Sequence, residues 1–401
     1  MCRSWVALPT VIIFTVLIFS ISSCVYVNAS ESSRISDQSQ PTFNSLVEAI
    51  SNFRNSSTSQ IEFLQQDRIL EHGKPISATI DPKTNLVYYV TSVMNNSKRL
   101  QNTVSVLNTT SDNIVDSFRV GDSKNDFLKK IIFNNGTNTL YGIGEHRVLQ
   151  NGSLYEYDSL YKIDPRTHAF KRISLYSEQE EGKEGDLSGI ALNPQTNTIY
   201  VGSLYPEGGS PGLYIIDGNS LRVVSKLNNW EFGISDVLFD PNSHLIYAAA
   251  KHDDVISVLN NANVIQKNIK IHGPIKILAD IKRSNLYFAS ADGNVTEINL
   301  KNNESSVLQG LNVKDIAFNP SDGMLYLLNV NPQPVKNKGE SENDILSEVI
   351  KIDSKSNHLE KLYQTNIKLN NIVVDPPSKK IILFGSDLRS SNTYLYVLKA
   401  R

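Results

Sequence analysis

The chain has 401 residues, a formal net charge of −2 and two cysteines, Cys2 and Cys24. A balance this close to neutral lacks the basic footprint of a nucleic-acid binder, so no nucleic-acid partner is expected. Beyond residue 30 there is no cysteine, which excludes an internal disulfide, a thiolate metal site and a cysteine nucleophile, and leaves a packed core as the source of stability.

Residues 1–29 read as a targeting segment. Arg3 is the positive start and Val11 to Phe19 (VIIFTVLIF) the apolar centre. Val27-Asn28-Ala29 fits a small-residue cleavage site before Ser30. Ile21-Ser22-Ser23-Cys24 instead resembles a lipobox with Cys24 as the lipidated residue. Val6 to Val27 is also long enough to remain as an anchor. All three alternatives place the body of the protein outside the cytoplasm, secreted or anchored to the outer face of the membrane, with membrane contact only through this segment. Residues 30–60 form a Ser/Asn-rich linker. Within it Phe43, Leu46, Val47, Ile50 and Phe53 recur at helical spacing and predict a short amphipathic helix over 43–54, which packs on the body in preference to lying on the membrane because basic residues are scarce there.

From residue 61 to 401 one phrase recurs seven times. It reads DPKTNLVY (Asp81 to Tyr88), NNGTNTLY (Asn134 to Tyr141), NPQTNTIY (Asn193 to Tyr200) and DPNSHLIY (Asp240 to Tyr247). It returns as DIKRSNLY (Asp280 to Tyr287), NPSDGMLY (Asn319 to Tyr326) and a decayed DPPSKKII (Asp375 to Ile382). The spacings are 53, 59, 47, 40, 39 and 56 residues, and the shortest match one four-stranded propeller blade.

The first copy shows how a repeat becomes a blade. ISATI (Ile76 to Ile80) is an apolar strand, and Asp81 to Asn85 is turn chemistry. LVYYV (Leu86 to Val90) is a second strand, TVSVL (Thr103 to Leu107) a third and IVDSFRV (Ile114 to Val120) a fourth. The third strand recurs as far as YLYVL (Tyr394 to Leu398), leaving the seventh blade without a fourth strand. Asp67 to Gly73, ahead of the first blade, parallels the fourth strand of blade four and is predicted to complete blade seven. The expected fold is therefore all-β: a seven-bladed β-propeller of four-stranded antiparallel blades, closed by an N-terminal strand.

The phrase D-P-x-T-x-x-x-Y-V, followed by a TVSVLN-type strand, resembles the YVTN family of β-propeller repeats across roughly residues 61–401. The match is best at Tyr88-Tyr89-Val90-Thr91 and Tyr200-Val201-Gly202-Ser203; the family's Asn after the Tyr survives only at Asn329, and blade seven has lost the Tyr. The resemblance implies a seven-bladed propeller with a role at the cell surface. It implies no single activity, because propellers host unrelated functions.

Aligned on the phrase, the first strands carry two apolar columns. Ile80, Phe133, Leu192, Phe239, Ala279, Phe318 and Val374 lie one residue ahead of it, and Ala78, Ile131, Ile190, Val237, Ile277, Ile316 and Ile372 three ahead. These should pack between blades. The residues four ahead, Ser77, Lys130, Gly189, Asp236, Lys276, Asp315 and Asn371, form a polar column expected at one channel mouth, with Lys276 between Asp236 and Asp315. It reads either as a structural ion-pair network or as a small-ligand site. His72 and His272, with His146 and His252, map to the same end, and no ligand-spacing motif joins them into a metal site. The long segments 144–159, 203–212 and 329–347 and the acidic run 178–186 also fall there, which makes that end the expected binding face.

No GxSxG elbow, P-loop or HExxH is present, and no cofactor or catalytic residue is assigned. The sequons at Asn55, Asn95, Asn108, Asn135, Asn151, Asn294 and Asn303 are glycosylation candidates only through the export signal, since Asn is about a tenth of the chain and composition alone gives a similar number. The expected function is a non-enzymatic scaffold that binds a protein, glycan or cell-envelope component through the loop-rich face. The alternatives are a lactonase-like hydrolase or lyase at the channel mouth, and a structural subunit of a surface layer.

Overall fold

The computed structural model describes residues 62–70, 74–94, 100–121, 125–150, 153–175, 186–204, 211–309, 311–330, 347–354, 356, 358–386 and 393–399. The leader with Cys24, the linker and its helix 43–54, His72, and the sequons at Asn55, Asn95 and Asn151 lie outside these residues.

After β1 (Glu62–Leu70), the strands follow in blade order. Blade one holds β2 (Lys74–Asp81), β3 (Leu86–Met94), β4 (Leu100–Asn108) and β5 (Asn113–Phe118). Blade two holds β6 (Asp126–Asn134), β7 (Thr139–Gln150), β8 (Ser153–Ile163) and β9 (Phe170–Ser174). Blade three holds β10 (Asp186–Asn193), β11 (Thr198–Leu204), β12 (Gly212–Asp217) and β13 (Arg222–Leu227). Blade four holds β14 (Asp236–Asp240), β15 (Leu245–Ala250), β16 (Val255–Leu259) and β17 (Ile265–Lys270). Blade five holds β18 (Pro274–Asp280), β19 (Asn285–Ser290), β20 (Val295–Asn299) and β21 (Ser305–Leu308). Blade six holds β22 (Val313–Asn319), β23 (Met324–Val330), β24 (Ser347–Asp353) and β25 (His358–Thr365). Blade seven holds β26 (Lys368–Asp375), β27 (Lys380–Ser386) and β28 (Thr393–Lys399).

Among the described residues these strands form seven four-stranded antiparallel sheets. The seventh has the order β1-β28-β27-β26, with Ile69 opposite Tyr394 and Leu70 opposite Thr393. The N-terminal strand thus covers the edge that β28 would otherwise expose. The first strands β2, β6, β10, β14, β18, β22 and β26 touch in sequence, and β26 touches β2, so the ring closes.

The phrase sets the hairpin geometry. Its first residue accepts main-chain or hydroxyl hydrogen bonds from the turn: Asp81 Oδ1 from the Lys83 N–H at 3.0 Å, Asn134 Oδ1 from Gly136 at 2.8 Å, Asp240 Oδ1 from Asn242 at 2.9 Å. Its fifth residue has a left-handed backbone in all seven copies: Asn85, Asn138, Asn197, His244, Ser284, Gly323 and Lys379, with φ between 51° and 79°. Asn and Gly adopt this conformation at least cost, which accounts for their prevalence there.

The tyrosine that ends the phrase fills the seam to the next blade. Tyr88, Tyr141, Tyr200, Tyr247, Tyr287 and Tyr326 are all buried. Tyr88 stacks on Phe133 with centroids 5.1 Å apart, Tyr200 on Phe239 at 6.3 Å and Tyr287 on Phe318 at 6.0 Å, each pairing one blade with the next. Each seam has its own apolar cluster, to which the two apolar columns contribute. At the closing seam Ile382 stands where the tyrosine is lost, and Tyr89 of blade one packs on Phe384 of blade seven at 5.0 Å. Lys380 adds an ion pair to Asp112 across that seam at 2.8 Å.

One expectation changes. Residues 144–159 are not an irregular loop: the β7–β8 ladder continues to Leu149 opposite Leu154 and Gln150 opposite Ser153. The strands of this hairpin are 12 and 11 residues long, against 6 in β15 and 5 in β16. The extra length carries it roughly 20 Å further at strand rise. The Asn151-Gly152 dipeptide is the sequence signal for such a hairpin.

Deletion of residues 62–70 is expected to lower thermal stability by several kcal/mol and to produce self-association through the bared β28 edge. Thermal melting and size-exclusion chromatography check this; an unchanged melting temperature with a monomeric profile counts against closure by β1.

Candidate functional site at the loop end

Both faces of a propeller blade pack on neighbouring blades, so only the inner edge of its first strand meets the channel. That edge carries main-chain groups with no strand partner, which need other acceptors. The polar column supplies them. Ser77 Oγ accepts from the Ile131 N–H of blade two at 3.2 Å. Asp236 Oδ2 accepts from Ile277 of blade five at 3.1 Å, and Asp315 Oδ2 from Ile372 of blade seven at 3.0 Å. The side chains of Asp236 and Asp315 are 10% and 5% exposed, so they lie in the channel wall.

Their second oxygens are paired with lysines. Lys130 Nζ reaches Asp236 Oδ1 at 2.9 Å, spanning from blade two to blade four. It passes Gly189, whose place in the column has no side chain; a Cβ there would lie 2.7 Å from the Asp236 Cα. Lys276 pairs with Asp315. Lys276 is therefore not shared between two carboxylates as the repeat alignment suggests, because Asp236 is taken by Lys130. Asn371 lies in the same column, and its Oδ1 is buried without a hydrogen-bond partner among the described residues.

The three described histidines of this end do not converge. His146 sits in β7 of blade two, His252 stands against Phe232 at 6.0 Å in blade four, and His272 is 75% exposed with Nδ1 3.2 Å from Asp254. Among the described residues, no group of three or more His, Cys, Asp or Glu is arranged to hold a metal ion. The described sequons lie in turns or next to them. Asn135 and Asn303 are exposed, the Asn294 amide is donated to Asp292 at 2.7 Å, and Asn108 Oδ1 accepts from the Thr110 N–H at 2.8 Å.

The repeat alignment misses the densest polar cluster, at the base of the long hairpin. Asp126, 5% exposed, accepts from the Tyr161 hydroxyl at 3.0 Å and from Arg172, with His146 Nδ1 at 3.0 Å. Arg172 also lies 2.6 Å from His146 Nδ1. Burial, then the Asp126 charge and its hydrogen bond, push the Tyr161 phenol well above its ordinary range. On the other face Lys129 contacts Glu145 at 2.7 Å, Asp186 of blade three at 3.0 Å and Asp158 at 3.9 Å. Burial opposes the Lys129 ammonium, but these three carboxylates together hold its pKa above the usual lysine value. Asp158 is 3% exposed, and its Oδ2 has no hydrogen-bond partner among the described residues. Burial pushes the Asp158 carboxyl up to about 7; Lys129 pulls against this, and Glu145 and Asp186 add to it. Glu145 stands directly opposite Asp158 across the hairpin, a pairing visible only once the register is known.

Compared with known proteins, the chain matches no family model, and no curated protein matches it.

Two predictions follow from these contacts. Asp315→Ala removes the cap on Ile372 and strands Lys276, and is expected to cost about 2 kcal/mol. That is less than for a fully buried pair, because Lys276 retains solvent contact. Asp315→Asn should cost about half as much, and denaturant unfolding compares the two. Asp158 binds its proton more tightly folded than unfolded, where its value is near 3.8. Its stabilising contribution is thus complete below that value and is lost as pH rises through about 7. Asp158→Asn should leave stability unchanged near pH 4 and raise it above pH 7 by roughly 2–4 kcal/mol. Melting curves across this range give the difference directly.

Proposed function

We propose that this chain is an exported propeller of the YVTN type that acts as a binding scaffold at the cell surface. It recognises a protein, glycan or other envelope component through its loop end. The observation that carries the reading is the blade-two hairpin: its described strands, 12 and 11 residues, are the longest at that end, Leu149 near its tip is 72% exposed, and its base is charged. The long inter-strand segments 203–212 and 329–347 belong to the same end, whereas the opposite end holds short turns. Export rests on the apolar leader, and surface residence on the leader and the resemblance to YVTN repeats. The hydrolase alternative has less support, because both column carboxylates are engaged by inner-edge amides and by lysines.

The test pairs the full chain with a variant in which residues 147–156 are replaced by a two-residue Asn-Gly turn. Both are offered to a glycan array and to solubilised cell envelope. The expected result is retention of an envelope component by the parent chain and at least tenfold weaker retention by the shortened one. Absence of binding by the parent, or equal binding by both, overturns the reading. Turnover of an ester or lactone that is lost in Asp236→Ala would favour the hydrolase.

A further inference from the structure

The turn end, opposite the loop end, is not uniformly closed. Between blades three and four it holds a groove of about 400 Å³, within the range of small-ligand sites. The neighbouring seam is closed by bonds that this one lacks. Between blades two and three, the Tyr141 hydroxyl donates to Asn197 Oδ1 at 3.1 Å and to the Gly218 carbonyl at 3.0 Å, and Lys162 Nζ donates to the same carbonyl at 2.7 Å. One blade on, Tyr200 occupies the place of Tyr141. Aligned on the repeat, His244 takes the place of Asn197 and Asn260 that of Gly218, and His244 lines the groove with Tyr200. Neither the Tyr200 hydroxyl nor the His244 ring makes a hydrogen bond among the described residues. The bonds that close one seam are missing from the next, and a polar space remains.

The lining of that space has a consistent chemistry. The side-chain amides of Gln195 and Asn261 are exposed and make no hydrogen bond among the described residues, and Asn263 Oδ1 is buried without a partner. Val224, 66% exposed, gives the wall an aliphatic surface. The one carboxylate in the lining is Asp217. It is already held by the Ser220 hydroxyl at 2.6 Å and the Asn219 N–H at 3.1 Å, bonds that keep its pKa below the usual carboxylate range. No lysine or arginine lines the groove.

The geometry points to a binding site for a neutral sugar, one or two pyranose rings in size. Amides, a phenol and an imidazole that lack partners are the groups that pair with vicinal hydroxyls. The aliphatic wall suits the C–H face of a ring. An anionic ligand would find no cation here, and a cationic one would meet a carboxylate whose lone pairs are largely used. The site lies at the end away from the hairpin and does not rest on the function proposed above.

Saturation-transfer NMR on the full chain tests this. The probes are methyl glucoside, methyl galactoside, methyl mannoside and N-acetylglucosamine, each at millimolar concentration. The expected result is transfer to at least one probe, weakened about tenfold or more in Gln195→Ala/Asn261→Ala. Both replaced side chains are exposed, so the variant should melt with the parent chain. Asp158→Asn, at the other end, should bind as the parent does. No transfer to any probe overturns the inference, as does equal transfer in the double variant. Loss of transfer in Asp158→Asn would move binding to the loop end and would likewise overturn it.

Discussion

The structure depends on one constraint: each blade is a sheet with two apolar faces, and each face can be buried only by another blade. The phrase tyrosine meets this demand in one direction and the apolar columns of the first strand meet it in the other, so six seams are built from the same two parts, and in the closing seam Ile382 stands in for the tyrosine. A linear stack of such blades would leave two faces bare at its ends. Closing the stack into a ring removes both, and β1 then covers the sheet edge left at the junction.

A ring built this way has a polar price at its centre. The inner edges of the first strands carry amides with no strand to pair with, and the polar column caps them from the preceding blades. Lys130 and Lys276 neutralise the two carboxylates so recruited. These contacts explain why charged residues line the channel wall without calling on a ligand. Elsewhere the scaffold pattern varies: the seam of Tyr200 and His244 lacks the hydroxyl bonds that Tyr141 makes, and the β7 and β8 strands of blade two run longer than those beside them.

Much of this was legible in the residues themselves. Asp or Asn at the start of each phrase, a residue tolerant of left-handed backbone at its fifth position and an aromatic at its end specify hairpin, turn and seam together. The blade-two hairpin has its signal in Asn151-Gly152, but its flanking residues mix charges with aromatics and mask the two-residue alternation of a strand. The repeat aligns Asp236 with Asp315 in one column but does not give their partners. Lys130 pairs with Asp236 across blade three, where Gly189 lets the Asp236 backbone approach to within a would-be Cβ contact of 2.7 Å, and no spacing rule carries that information. The Asp126 and Lys129 clusters were missed altogether, since they join residues from several strands and two blades that have no fixed offset in the chain.

The chain by itself determined the architecture: seven repeats, four strands in each, the turns between them and the strand that closes the ring. Local backbone preference and the two-residue period of a strand are properties of neighbouring residues, and repetition makes them unmistakable. The tertiary structure alone decided which charges meet, which carboxyl is buried among others, and which seam stays open. Those outcomes depend on the reach of single side chains across seams, where one glycine or one histidine in place of asparagine alters what can touch.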